Sequence, residues 1–252
     1  MRPLQTDLSI FGELKLEKSP VGVKYLFHRP EGIKQLDKKM ALCEMLTEAQ
    51  RSKEPFYITR ENETCFGAQA LGMVPDAPSA AASGELGVKL ELFQDPRANQ
   101  KLFQSNPNLE KGTVNYVVFA PLDKITFEPD ILIFLTDAKK AEIVLRAMTY
   151  STGELYESKT STALSCTWLY VYPYVSGKIN YYITGLGFGS TGRKAFEPGW
   201  VLIAIPYNWL PTMAQNLKEM KWELTGYTLG KEEFDKWEKG ILAELARESR
   251  NS

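Results

Sequence analysis

Four apolar runs, each followed by a turn and then a helix-like segment, constrain the fold of this chain most. Val21 to Phe27 leads past His28-Arg29-Pro30 into Glu31 to Arg51. Gly87 to Phe93 leads past Gln94-Asp95-Pro96 into Arg97 to Gln104, and Ile131 to Leu135 leads past Thr136-Asp137 into Ala138 to Thr149. Trp200 to Ile205 leads past Pro206 into a helix ending near Met220. The Asp and Pro residues stand where helix starts favour them. Ala141, Val144, Leu145 and Met148 recur at helical spacing, as do Ile33, Leu36, Met40, Cys43 and Leu46, so each helix presents one apolar face. A further strand is expected at Val114 to Ala120. Strands of this kind need cover on at least one face. The expected fold is α+β (or α/β), a mixed sheet with packed helices, in a single domain over 1–225. Residues 226–252 form a helical extension. In it Phe234, Trp237, Ile241 and Leu245 make a stripe that packs on its own domain or joins a second copy.

Two stretches leave the period open. Residues 167–174 fit a strand, which would put Trp168, Tyr170, Tyr172 and Tyr174 on one face, or a helix broken at Pro173. Lys178 to Thr184 fits a strand entering a glycine-rich turn. Val74 to Gly84, rich in Pro, Ala and Ser, is expected to be a surface loop.

Charge excludes some functions. Thirty Lys+Arg oppose 31 Asp+Glu, a net charge of −1, so no basic excess draws the chain to nucleic acid. No apolar run approaches the roughly 20 residues of a membrane span. Asp7, Glu13 and Lys15 interrupt the start before any export-type apolar run. The cytoplasm is the expected compartment, where Cys43, Cys65 and Cys166 stay reduced.

The thiols are the chemically pointed residues. Thr64 is an N-cap candidate that would set Cys65 in a first helical turn, where the dipole lowers a thiol pKa. Glu61 and Glu63 stand close by and could supply an oxygen ligand or a base, although loop carboxylates of this kind are most often just solvated. Cys166 lies among small and hydroxylated residues, and Cys43 on an apolar helix face. The densest glycine stretch, Gly185 to Gly192 followed by Arg193 and Lys194, could cradle an anion. It lacks the Gly-Lys-Ser/Thr order of a Walker loop, and no helix is expected to open after it. The lone His28 reads as a turn residue.

The ordered set Pro20 to Lys24, Cys43, Thr64 to Gly72, Val88 to Leu90, Val117 to Leu122 and Phe127 to Asp130 resembles the domain-of-unknown-function family 169, an archaeal and anaerobe-rich family. The likeness covers roughly residues 10 to 220. The Ser165-Cys166 pair falls where that family carries a Cys. The resemblance implies a fold and a placement of thiols, and no reaction. Many members have a further Cys where this chain has Gly185 to Gly189, so any cluster here would have three Cys and one open position.

Two functions of different class follow. In the first, Cys43, Cys65 and Cys166 hold an iron–sulfur cluster or another soft metal, and Gly67, Gly187, Gly189, Gly192 and Arg193 bind a small anionic ligand. In the second, the chain is a cofactor-free binding or interaction module with an aromatic-lined pocket and buried thiols. A thiol enzyme using Cys65 ranks last, because the sequence shows no base for it.

Overall fold

The computed structural model describes residues 1–74 and 79–251. The chain forms two compact units, Met1–Lys218 and Glu219–Ser252.

In the larger unit the order is α1 (Ser9–Glu13), β1 (Val21–Leu26), β2 (Lys34–Gln35), α2 (Leu42–Ser52), β3 (Phe56–Ile58), α3 (Gly67–Ala70), α4 (Ser79–Ala82), α5 (Glu85–Lys89) and α6 (Pro96–Ser105). It continues with β4 (Tyr116–Pro121), β5 (Ile131–Thr136), α7 (Ala138–Thr149), α8 (Ser165–Tyr170), α9 (Tyr172–Ser176), β6 (Asn180–Ile183), α10 (Phe188–Gly192), β7 (Val201–Pro206) and α11 (Leu210–Glu219).

The strands make one seven-stranded mixed sheet in the order β2-β3-β4-β1-β5-β7-β6. Only β2 and β3 pair in parallel; the other neighbours are antiparallel. The fold is therefore α+β. Register sets the two faces, because side chains alternate along each strand. Val23 opposes Phe119, and Val21 opposes Ile133, which opposes Ala204. These residues share a core with Leu42, Met45 and Leu46 of α2 and Leu169 of α8. The other face carries Phe134, whose ring meets Phe11 of α1 edge-on at 5.5 Å. All six residues of β5 are buried, as a strand covered on both faces requires.

The sheet is locked at the start of β5. Asp130 accepts from Lys24 Nζ and from the backbone N–H of Tyr25, each at 2.7 Å. Its own N–H donates to the Val23 carbonyl. On the far side of β1, the Tyr25 hydroxyl donates to the Tyr170 carbonyl at 2.6 Å, tying α8 to the sheet.

The apolar runs at 21–26, 116–121, 131–136 and 201–206 are strands, and Ala138–Thr149 is a helix capped by Asp137, which accepts from Lys140 N–H. Two expectations are corrected, and one period left open is decided. The first helix begins at Leu42, not Glu31, because 34–35 add an edge strand beside β3. Gly87 to Phe93 is no strand. Helix α5 spans Glu85–Lys89 and packs on α6, so closely that a Cβ on Gly87 would stand 2.5 Å from Asn99 Cγ. Residues 165–176 are helical with a break at 171, and Pro173 occupies the first turn of α9. The four aromatic residues there therefore share no strand face. Part of the expected 74–84 loop, residues 75–78, lies outside the described residues; 79–82 are helical.

The smaller unit contains α12 (Thr225–Thr228) and α13 (Lys231–Asn251). The rings of Phe234 and Trp237 meet tilted, at 5.9 Å, and Gly226 leaves room for both. Trp237, Ile241 and Leu245 of the apolar stripe are exposed, as is Leu242. Among the described residues no helix is long and apolar enough to cross a membrane.

Candidate functional site

Glu63 organises the site. It lies in the loop after β3, just beyond a 3₁₀ turn at Arg60–Asn62, and is only 2% exposed. Its Oε1 accepts from Leu42 N–H at 2.9 Å. Its Oε2 accepts from Cys65 N–H at 2.9 Å and Ala68 N–H at 3.1 Å. Leu42 opens α2 and Ala68 lies in the first turn of α3, so one carboxylate satisfies orphan donors of two helices. The carboxylate expected to be solvated is thus the buried hub of the loop. Its neighbour Gly67 is a glycine for steric reasons. A Cβ there would stand 2.7 Å from Leu42 Cβ and 2.9 Å from Glu63 Oε1.

Cys65 meets the same carboxylate through its side chain. Its thiol donates to Glu63 Oε1 at 2.9 Å, and Gly67 N–H donates to Cys65 Sγ at 3.4 Å. Helix α3 starts at Gly67, so Cys65 precedes it, and Thr64 is not its cap. The dipole-lowered thiol is corrected accordingly. Burial first, then the charge of Glu63 and its hydrogen bond, push Cys65 up to about 12. Burial pushes Cys43 to about 11, with Arg193 pulling the other way. Cys166 also moves well above its ordinary value, through burial and then charge on Cys65 and Cys43. At neutral pH all three are protonated thiols. Burial likewise raises Glu63, against the hydrogen bonds it accepts.

The three thiols face one cavity. Cys43, at the start of α2, Cys65, before α3, and Cys166, on α8, all line one cavity of about 190 Å³. Gly189 and Arg193 of the glycine stretch line it too. The rest of the wall is mainly apolar and includes Phe66, Leu86, Leu90, Phe103 and Phe188. A short helix, α10, lies within the glycine stretch itself and brings Phe188 and Gly189 to the cavity. Arg193 Nη1 donates to the Gly189 carbonyl at 2.9 Å. Among the described residues Arg193 has no carboxylate partner and is the one charged side chain of the wall.

Gly67, Gly187 and Gly192 do not line the cavity. Gly187 serves close packing, since a Cβ there would lie 2.0 Å from Ser165 Oγ, whereas Gly192 faces open space. The aromatic residues of 168–182 are absent from the wall as well. Tyr182 is buried beside Ser165, and Trp168 pairs with Tyr172 at 5.6 Å.

Three sulfurs are donors that suit a soft metal once deprotonated. Among the described residues, however, no group of three or more His, Cys, Asp or Glu side chains is arranged to hold a metal ion. The sulfurs surround a cavity rather than a point.

Residues 10–216 match the model of a family described as uncharacterised ArCR, the domain-of-unknown-function family 169 (DUF169). The chain is also 32% identical over 152 residues to the uncharacterized protein MJ0308 of Methanocaldococcus jannaschii. That alignment takes in 59% of this chain and 65% of the relative, so the chain spans just under two thirds of the relative's length. No solved structure matches. With the family model spanning most of its larger unit, including all three thiols, Glu63 and Arg193, the chain belongs to domain-of-unknown-function family 169.

Proposed function

We propose that the protein binds a small, mostly apolar molecule carrying one negative group, in the three-thiol cavity. One observation carries this: Arg193, without a carboxylate partner among the described residues, shares an apolar wall with three neutral thiols. An apolar enclosure with a few convergent polar groups is the usual form of a small-molecule site. Its 190 Å³ is below the roughly 300–1,000 Å³ of drug-sized sites, which favours a short ligand. A guanidinium gives a carboxylate two parallel hydrogen bonds. The proposed compartment is the cytoplasm, where the thiols remain reduced.

Calorimetric titration with hexanoate tests this. Saturable one-to-one binding is expected, with much weaker binding of hexanol and of hexylammonium. Equal heats for all three probes, or none for any, would contradict the proposal.

A further inference from the structure

We propose that Cys65 is a nucleophile with Glu63 as its base, and that it takes an acyl group from a short-chain thioester held in the cavity. This rests on the ligand cavity proposed above and adds a reaction to it.

The geometry is that of a nucleophile–base pair. Cys65 lines the cavity, so its sulfur is within reach of a bound molecule. Its thiol already points at a carboxylate oxygen 2.9 Å away, inside the distance a base needs. That carboxylate is held by three backbone donors, Leu42, Cys65 and Ala68 N–H. A base fixed by further groups is the second part of such a pair. The third part is Gly67 N–H, which donates to Cys65 Sγ at 3.4 Å and supports negative charge as it builds on sulfur. None of these groups comes from a remote element except Leu42. The pairing is built into the loop 63–68.

At rest the proton stays on sulfur, because the Cys65 thiol is raised to about 12. Attack therefore needs the proton removed as the new bond forms, which is the task of a general base. Burial of Glu63 raises its own proton affinity, which strengthens it as a base. The other titratable and charged groups around the pair are Cys43, Cys166, Glu44 and Arg193.

The step balances without a co-reactant. Cys65 Sγ bonds to the thioester carbonyl carbon while its proton passes to Glu63. The bond from that carbon to the departing sulfur breaks, and Glu63 returns the proton to the leaving thiolate. An acyl-Cys65 and a free thiol result. Exchange of one thioester for another needs no oxidant and no metal, and the apolar wall suits a short acyl chain.

The test uses the full chain and the S-hexanoyl thioester of mercaptoacetate, whose carboxylate supplies the negative group for Arg193, followed by intact-protein mass and peptide mapping. The expected result is one hexanoyl group, on Cys65. Its formation rate should be nearly level from about pH 7 to 9, because a base rather than free thiolate drives attack. Glu63→Gln should slow acylation at least tenfold and restore a rate that climbs about tenfold per pH unit, the behaviour of an unassisted thiol. If that variant does not fold, the wild-type profile decides alone: a tenfold climb per unit overturns the proposal. Acylation at Cys43 or Cys166, or none, also overturns it. Hexanoate binding without acylation would remove the nucleophile and leave the ligand cavity standing. No hexanoate binding would remove the cavity itself.

Discussion

Cys65 and Glu63 are two residues apart, yet they meet through their side chains, Sγ to Oε1 at 2.9 Å. The turn that brings them together also places Gly67 against Leu42, so the loop, the start of α2 and the thiol form one packed unit. Disturbing any one of the three should be felt by the others.

Gly67→Ala is the sharpest probe of that packing. The added methyl meets Leu42 Cβ at 2.7 Å and Glu63 Oε1 at 2.9 Å, and neither can give way without moving α2 or the carboxylate. A loss of about 1–3 kcal/mol is expected in urea unfolding, the range for overpacking a filled site. Unchanged stability would mean that the loop is not held as described.

Asp130→Asn should cost about 3 kcal/mol, the low end for breaking a buried ion pair. The variant keeps an acceptor for Tyr25 N–H but leaves Lys24 without its charge partner at a largely buried position. Lys24→Met with Asp130→Asn should recover much of the loss, since the uncompensated charge is then gone. Denaturant midpoints of the wild type and the two variants measure both effects.

The thiols make stability depend on alkaline pH. Cys43 is raised to about 11 and Cys65 to about 12, whereas an unfolded thiol titrates near 8.5. The folded state therefore holds protons that the unfolded state has lost. Their contribution is complete below about pH 8.5 and disappears as pH rises through 11 to 12. On the order of 2 kcal/mol per thiol should be lost between pH 8 and 10. A urea midpoint independent of pH over that range would contradict the assigned burial.

Protein purified without oxygen is expected to be colourless, with no stoichiometric iron or zinc, because the sulfurs line a cavity instead of converging as ligands. Elemental analysis and an absorption spectrum check this. One equivalent of either metal would return Cys43, Cys65 and Cys166 to the role of a ligand set.

Much of the sheet is legible in the sequence because its strands are buried on both faces and read as continuous apolar runs, as at Ile131–Thr136. Helix α7 is legible because Asp137 caps it and its apolar residues keep helical spacing. Gly87 to Phe93 misleads because its apolar residues alternate at strand period. Packing against Asn99 and the cavity, neither visible locally, makes the start of that run a helix. The importance of the three thiols and of Arg193 is legible from residue type and setting. Their meeting at one wall is not, because it depends on α2, α8 and the glycine stretch reaching the same end of the core. Glu63 was legible only as a neighbour of Cys65. Its role follows from Leu42, 21 residues earlier, whose N–H points at it.

Arg193 is proposed to hold the negative end of a ligand in the thiol cavity, and a paired titration decides it. Hexanoate is titrated into the wild type and into Arg193→Gln, with thermal unfolding of both as a control. The Arg193 side chain is exposed and makes one hydrogen bond, to the Gly189 carbonyl, so the substitution should leave the unfolding temperature within a degree or two. The account predicts that hexanoate affinity falls at least tenfold, about 1.4 kcal/mol. Equal affinity in the two proteins would contradict it.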